Sequence, residues 1–191
     1  MKKNSIIIIL ATVVIAIVLG VILLTQSKKN VKLQTTEEIQ AMLTSIYSKA
    51  KVDLPELETM DMPVSDEMQL QSFTGLQSNE NIEILVVSTP LINAQAYSLA
   101  VLKVDEKANI EQIKQNIYDN IDMRKWICVS AEKLYITNYD NIIFVIMSSQ
   151  DVAKPIYEEF KKYVGNNVGK ELEKSDTSID DFSIPEAETI N

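Results

Sequence analysis

The chain of 191 residues contains no histidine and a single cysteine, Cys128. Without histidine, neither a Ser-His-Asp triad nor a histidine metal site can form within the chain. A single cysteine also excludes an internal disulfide, a CxxC redox pair and a multi-cysteine zinc site. Because Cys128 follows the apolar residues Trp126 and Ile127, we expect it to be buried as a small hydrophobic side chain.

Positive charge is also scarce outside the N-terminal region. Beyond residue 32 the sequence has 13 basic and 27 acidic residues, a formal charge of −14, and one arginine, Arg124. Nucleic-acid binding depends on clustered lysine and arginine side chains that neutralise phosphates. The composition therefore argues against a nucleic-acid partner and is typical of a well-solvated acidic surface.

An uncharged, strongly apolar run begins at Ile6 and ends at Leu24, with two lysines before it and three shortly after it. At 1.5 Å per residue, a helix of this length spans roughly 28 Å, about the thickness of the hydrocarbon core of a bilayer. The pattern predicts a transmembrane anchor over residues 6–25. A short N-terminal tail, residues 1–5, precedes it, and a juxtamembrane linker, residues 26–35, follows it.

The sequence around the apolar run bears on cleavage, lipidation and orientation of the anchor. The apolar run is longer than the core of a cleavable signal peptide and lacks small residues at a cleavage site, so we expect it to be retained. A lipoprotein would need a cysteine directly after the run, whereas the first cysteine is Cys128. The flanking lysines are nearly balanced and do not fix the orientation. A short tail before a large C-terminal domain favours a signal anchor in the cell membrane with an extracytoplasmic domain.

Three later segments have the apolar spacing of amphipathic helices. Thr35 and Glu38 match a capping box at the start of the first segment. Pro155 near the start of the last predicts either a bend or a separate preceding turn. The three helical segments cover residues 36–50, 110–123 and 152–164.

Five short segments have the composition of β-strands and are separated by turn-forming residues. Residues 138–141 are rich in Asn and Asp and predict a hairpin turn. Residues 53–63, with two prolines and several acidic side chains, are expected to form an irregular connector, and residues 167–191 an acidic disordered tail. The predicted strands cover residues 68–70, 82–87, 97–104, 134–137 and 142–147.

The order of these elements predicts a single α+β domain over residues 36–166. Short connections between successive strands favour antiparallel pairing. Helices grouped around hairpins favour two packed layers. We therefore expect a two-layer sandwich of a mostly antiparallel sheet of about five strands with two or three helices, preceded by one transmembrane helix.

Two spacings match catalytic motifs. Ser130 and Lys133 have the S-x-x-K spacing of serine enzymes activated by lysine, but the partner motifs are missing. Tyr157 and Lys161 have the spacing of some nicotinamide oxidoreductases, but the chain has only four glycines and no G-x-G-x-x-G loop. We therefore interpret Ser130 and Lys133 as part of a loop that enters a strand, and Tyr157 as a core residue.

Two acidic clusters, residues 53–61 and 176–181, contain carboxylates that calcium would accept as ligands. Neither has the ligand spacing and central glycine of an EF-hand loop, so solvated charge is the favoured interpretation. Together with the unmatched motifs, this leaves no catalytic, cofactor-binding or metal-ligating residue predicted, and no cofactor.

The pattern of residues 100–104, the helix at 110–123, residues 139–145 and the closing helix resembles the bacterial domain of unknown function 4358 family. The resemblance covers residues 36–164 and implies an extracytoplasmic domain, held at the membrane of Gram-positive anaerobes, with no assigned activity. The chain departs from it in lacking a lipidation cysteine and in its turn, which reads Asp140, Asn141, Ile142.

These observations favour a non-catalytic module of the bacterial envelope that interacts with a protein or cell-wall partner. The first alternative is a carboxylate-dependent envelope hydrolase, suggested by the abundance of Asp and Glu. A structure without a concave site holding two carboxylates would remove that alternative. The second alternative is a cytoplasmic-facing accessory subunit of a membrane complex.

Overall fold

The structure, a computed structural model, describes residues 31–92 and 95–176. The predicted N-terminal tail and the anchor from Ile6 to Leu24 lie outside these residues, as does most of the predicted acidic tail. Among the described residues, no helix combines the length and apolar character needed to cross a bilayer.

The described chain forms one antiparallel sheet of six strands with the order β1-β2-β3-β5-β4-β6. The central neighbours are β3 and β5, which pair from Tyr97 with Ser148 to Lys103 with Ile142. The strands are β1 (Leu57–Met62), β2 (Ile82–Pro90), β3 (Tyr97–Val104), β4 (Lys133–Tyr139), β5 (Ile142–Ser148) and β6 (Leu172–Ser175). The helices are α1 (Thr36–Lys49), α2 (Glu67–Thr74), α3 (Ile110–Asn120) and α4 (Gln150–Tyr163).

Both faces of the sheet are covered by helices. Successive side chains of a strand point to opposite faces, and on β3 Leu99 and Ala100 accordingly belong to two separate hydrophobic clusters. Helices α1 and α4 pack on the face of Leu99, and α2 and α3 pack on the face of Ala100. The α+β antiparallel class is confirmed, but the predicted two-layer arrangement is wrong, because strands that are apolar on both faces need a helical layer on each side.

Several local predictions are confirmed. The hydroxyl of Thr35 accepts a hydrogen bond from the Glu38 amide at 3.3 Å, and Glu38 Oε2 accepts from the Thr35 amide at 3.3 Å, which is the predicted capping box. The β4–β5 turn lies at Asp140, whose φ of +47° suits aspartate. Pro155 lies inside α4, which begins at Gln150, so the alternative of a separate turn is wrong.

Three segments differ from the sequence predictions. Residues 53–63, predicted to be an irregular connector, contain β1. Residues 68–70, predicted to be a strand, belong to α2, because the Asp66 side chain caps the helix through the Gln69 amide at 3.1 Å. Residues 167–176, predicted to be disordered, contain β6, which pairs with β4.

The N-terminal boundary of the folded unit also lies earlier than predicted. Leu33, placed in the predicted linker, is buried in the hydrophobic core. The amide of Val31 donates to the hydroxyl of Tyr139 at 3.2 Å. The folded unit therefore includes residues 31–35, and the described chain enters it beside the β4–β5 turn.

Candidate functional site

A groove of about 540 Å³ lies between α3 and the segment that connects α2 to β2. We call it the amide-lined groove, because primary amides make up half of its lining. Exposed polar side chains form its walls, and apolar side chains from the two elements complete the lining. Its lining residues are Gly75, Leu76, Gln77, Ser78, Glu80, Asn81, Ile82, Asn109, Gln112, Ile113, Asn116 and Asn120.

One wall of the groove is a line of amides on α3, which we call the amide row: Gln112, Asn116 and Asn120. The buried residues Lys114 and Ile117 orient α3 toward the sheet and leave the row exposed. Gln112 Nε2 donates to Asn116 Oδ1 at 2.9 Å, and Asn120 Nδ2 donates to the Asn116 carbonyl at 2.8 Å. The row is therefore linked by its own hydrogen bonds.

The opposite wall begins where α2 ends at Gly75. Its φ of +75° is a left-handed conformation typical of a helix C-terminus. The Gly75 amide donates to the Gln71 carbonyl at 2.7 Å. From there the chain turns back along α3 and enters β2 at Ile82, presenting Gln77 and Asn81 to the groove.

The chemistry of the groove favours binding over proton transfer. Among the described residues that line it, Glu80 alone is ionisable at neutral pH, and its side chain is exposed. Amides and hydroxyls donate and accept hydrogen bonds without titrating. General acid–base catalysis by a pair of carboxylates needs a second titratable group close by.

A second concavity, of about 410 Å³, lies between α4 and the strands β4 and β6. We call it the charged cleft. It holds three glutamates, Glu158, Glu171 and Glu173, so the structural condition that would have removed a carboxylate hydrolase is not met. It is also lined by Lys133, Tyr135, Gln150, Lys154, Tyr157 and Leu172.

Each glutamate of the charged cleft is paired with a lysine. Lys161 Nζ lies 3.4 Å from Glu158 Oε1 and 3.1 Å from Glu171 Oε2, and Lys133 Nζ lies 2.6 Å from Glu173 Oε1. Burial raises the pKa of Glu171, but hydrogen bonds from Tyr157 and Lys161 outweigh this and leave the pKa below its ordinary value. Glycoside cleavage needs a carboxyl with a raised pKa as proton donor, so Glu171 suits an ion pair better than acid catalysis.

The S-x-x-K spacing does not form a catalytic pair. Lys133 Nζ donates to Glu173 and also to Ser175 Oγ at 2.8 Å. The hydrogen bond with Glu173 raises the pKa of Lys133 above its ordinary value, whereas a lysine that activates serine must lose its proton readily. Ser130 lies in the loop before β4, as predicted.

Tyr157 is a core residue, as its position on the apolar side of α4 predicted. Its ring stacks on Tyr135 with centroids 4.9 Å apart, and its hydroxyl donates to Glu171 Oε2 at 2.8 Å. Burial, together with the neighbouring carboxylate, raises the pKa of Tyr157 far above its ordinary value. Tyr157 therefore keeps its proton and links α4 to the segment before β6.

Cys128 is exposed, so the prediction of a buried cysteine is wrong. The cause is the backbone of the loop after α3, where Cys128 has a φ of +66°. Its neighbour Ile127 is 89% exposed as well. The apolar character of this stretch was therefore a poor guide to burial.

Lys125 is a residue that the sequence did not single out. Its Nζ donates to the Ser72 carbonyl and to Ser98 Oγ, each at 3.0 Å, and lies 4.5 Å from the centre of the Phe73 ring. Burial lowers the pKa of Lys125 to about 8. These contacts join the loop after α3 to α2 and β3, and no local sequence signal marks them.

The acidic clusters were the remaining candidates for metal binding. Within residues 31–92 and 95–176, no group of three or more His, Cys, Asp or Glu side chains is placed to hold a metal ion. Asp180 and Asp181 of the second cluster lie outside the described residues. Asp176 instead accepts two hydrogen bonds from Arg124, at 2.8 and 2.7 Å.

Comparison of the chain with protein-family models, with curated proteins and with solved structures finds no match. The resemblance to the domain of unknown function 4358 family stays a prediction.

Proposed function

We propose that this protein is a non-catalytic interaction module of the bacterial envelope. The apolar run from Ile6 to Leu24 would anchor it in the cell membrane, with its domain outside the cytoplasm. The observation that carries the proposal is the amide-lined groove, which offers many hydrogen-bonding groups and, among the described lining residues, a single ionisable one. Such a lining favours recognition of a partner over chemical conversion.

The charged cleft, with its three glutamates, is the candidate site for the rival hydrolase. Its three glutamates are engaged with Lys133 and Lys161. Freeing any one of them as a proton donor would break an ion pair. The geometry therefore favours a structural role for the cleft, which holds β6 against β4 and α4.

Photo-crosslinking tests the groove as a binding surface. With p-benzoylphenylalanine in place of Gln77 in the full membrane-bound chain, irradiation of cells is expected to give a discrete adduct. The same amino acid in place of Ala41 is the matched control, because Ala41 is exposed on α1, on the opposite face of the sheet. Gel shifts and mass spectrometry measure the adducts. Equal adducts at both positions, or none at Gln77, would contradict the proposal.

The exposed Cys128 gives a direct test of orientation, since it is the only cysteine of the chain. A membrane-impermeant maleimide added to intact protoplasts is expected to label the protein nearly completely, as judged by gel shift. Cys128→Ser is the control and should stay unlabelled. Labelling that requires permeabilised membranes would place the domain in the cytoplasm and favour the accessory-subunit alternative.

A further inference from the structure

We infer that the amide-lined groove binds a polypeptide segment in extended conformation, by hydrogen bonds to alternate peptide groups of its backbone. This inference rests on the proposed function and names the class of partner for the same site. The first observation behind it is the spacing of the amide row, Gln112, Asn116 and Asn120, along α3.

The spacing of the row matches the repeat of an extended chain. Residues four apart on an α-helix are about 6 Å apart along its axis. Alternate peptide groups of an extended chain are about 6.6 Å apart. Over the three amides of the row, the helix spacing and the peptide spacing therefore differ by about 1 Å in total. Flexible side chains can accommodate a difference of this size.

The row also has the required bonding capacity. A primary amide carries a donor and an acceptor side by side, as an approaching peptide backbone does. Within the described residues, the side-chain hydrogen bonds of the row use Gln112 Nε2, Asn116 Oδ1 and Asn120 Nδ2. Gln112 Oε1, Asn116 Nδ2 and Asn120 Oδ1 stay available for a ligand that both donates and accepts.

The remaining lining favours polypeptide over other partners. None of the described lining residues is aromatic, so no ring is present on which a sugar would stack. The same lining has no lysine or arginine to neutralise a phosphate or a carboxylate. Ile113, which is only partly buried, instead offers an apolar contact to the side chains that an extended peptide directs toward the groove, and the buried Leu76 and Ile82 complete the lining.

The test uses the full chain in lipid nanodiscs and an array of linear twelve-residue peptides of random sequence. The strongest binder is resynthesised with a single backbone N-methyl group at each position in turn. We expect methylation at alternate positions to raise Kd by about tenfold, and methylation at the positions between them to have little effect. Asn116→Leu should raise Kd by about tenfold, because it removes the hydrogen bond from Asn116 Nδ2 to the peptide and the bond that positions Gln112.

The matched control is Gln115→Leu, because Gln115 neighbours the row on α3 but bonds to Asp119 and does not line the groove. It should bind the peptide with unchanged Kd, and thermal unfolding checks that both variants are folded. No binding on the array, or methylation effects without alternation, would overturn the inference. A Gln77 adduct that muramidase removes would indicate a cell-wall partner, which would overturn the inference of a polypeptide ligand and support the proposed function. Absence of both the Gln77 adduct and peptide binding on the array would overturn the inference and the proposed function together.

Discussion

Replacing Gly75 by alanine is expected to lower the free energy of unfolding by about 3 kcal/mol. Gly75 has a φ of +75°, a conformation that side chains with a Cβ atom rarely adopt. A Cβ there would lie 2.5 Å from the Ile121 amide nitrogen and 2.6 Å from the Asn120 carbonyl carbon. Both contacts are backbone atoms, so α2 and α3 would have to separate. Urea denaturation followed by the fluorescence of Trp126, the only tryptophan, measures the loss.

Gly165 provides the matched control for this substitution. Its φ is +69°, but it is exposed after the end of α4. Gly165→Ala therefore carries the conformational cost alone, about 1 kcal/mol. Gly75→Ala should exceed it by about 2 kcal/mol and also weaken crosslinking at Gln77, since Gly75 lines the groove. Equal losses for the two variants would show that the close approach of α2 to α3 does not limit stability.

The elements that the sequence predicted correctly are those whose periodicity reports burial directly. In α1 the buried residues Ile39, Met42 and Ile46 recur at helical spacing after a capping box. In β3 all but one of the residues are buried, so a continuous apolar run was sufficient. The β4–β5 hairpin was predictable because its turn residues tolerate a positive φ.

The missed elements are short or lie at the edges of the sheet. β1 and β6 contain no buried residue, so their half-exposed patterns give only a weak apolar signal. Their positions are fixed by pairing with distant strands, as Leu57 pairs with Pro90 and Glu173 with Tyr135. Such pairing depends on backbone hydrogen bonds that any sequence can make, and local composition therefore did not reveal it.

The amide-lined groove was not predictable for a different reason. The sequence predicted α3 as an amphipathic helix, and the polar face of such a helix is ordinarily a solvated surface. The groove exists only because the segment from Gly75 to Ile82 returns along that polar face. Its amides form no motif in sequence, since the two walls come from segments about thirty residues apart.

The second large effect is expected for Lys114→Ala, which should lower the free energy of unfolding by about 3 kcal/mol. Lys114 is fully buried, and its Nζ lies 2.7 Å from each of Asn138 Oδ1, the Lys170 carbonyl and Glu111 Oε1. It thereby joins α3 to β4 and to the segment that leads into β6. Truncation would leave a cavity, and it would leave the buried Asn138 Oδ1 and the partly buried Lys170 carbonyl without their donor.

Lys114→Met separates packing from hydrogen bonding, because methionine keeps most of the aliphatic stem without a donor. Lys114→Met should recover part of the free energy of unfolding that Lys114→Ala loses. In both Lys114 variants, the backbone amides of β6 should lose hydrogen-exchange protection relative to those of β2. Lys107→Ala, at an exposed position before α3, should change neither quantity. If Lys114→Met kept wild-type protection in β6, the hydrogen bonds of Lys114 would not be needed to hold the C-terminal strand. Its attachment would then depend on the ion pairs of Lys133 and Arg124 with Glu173 and Asp176.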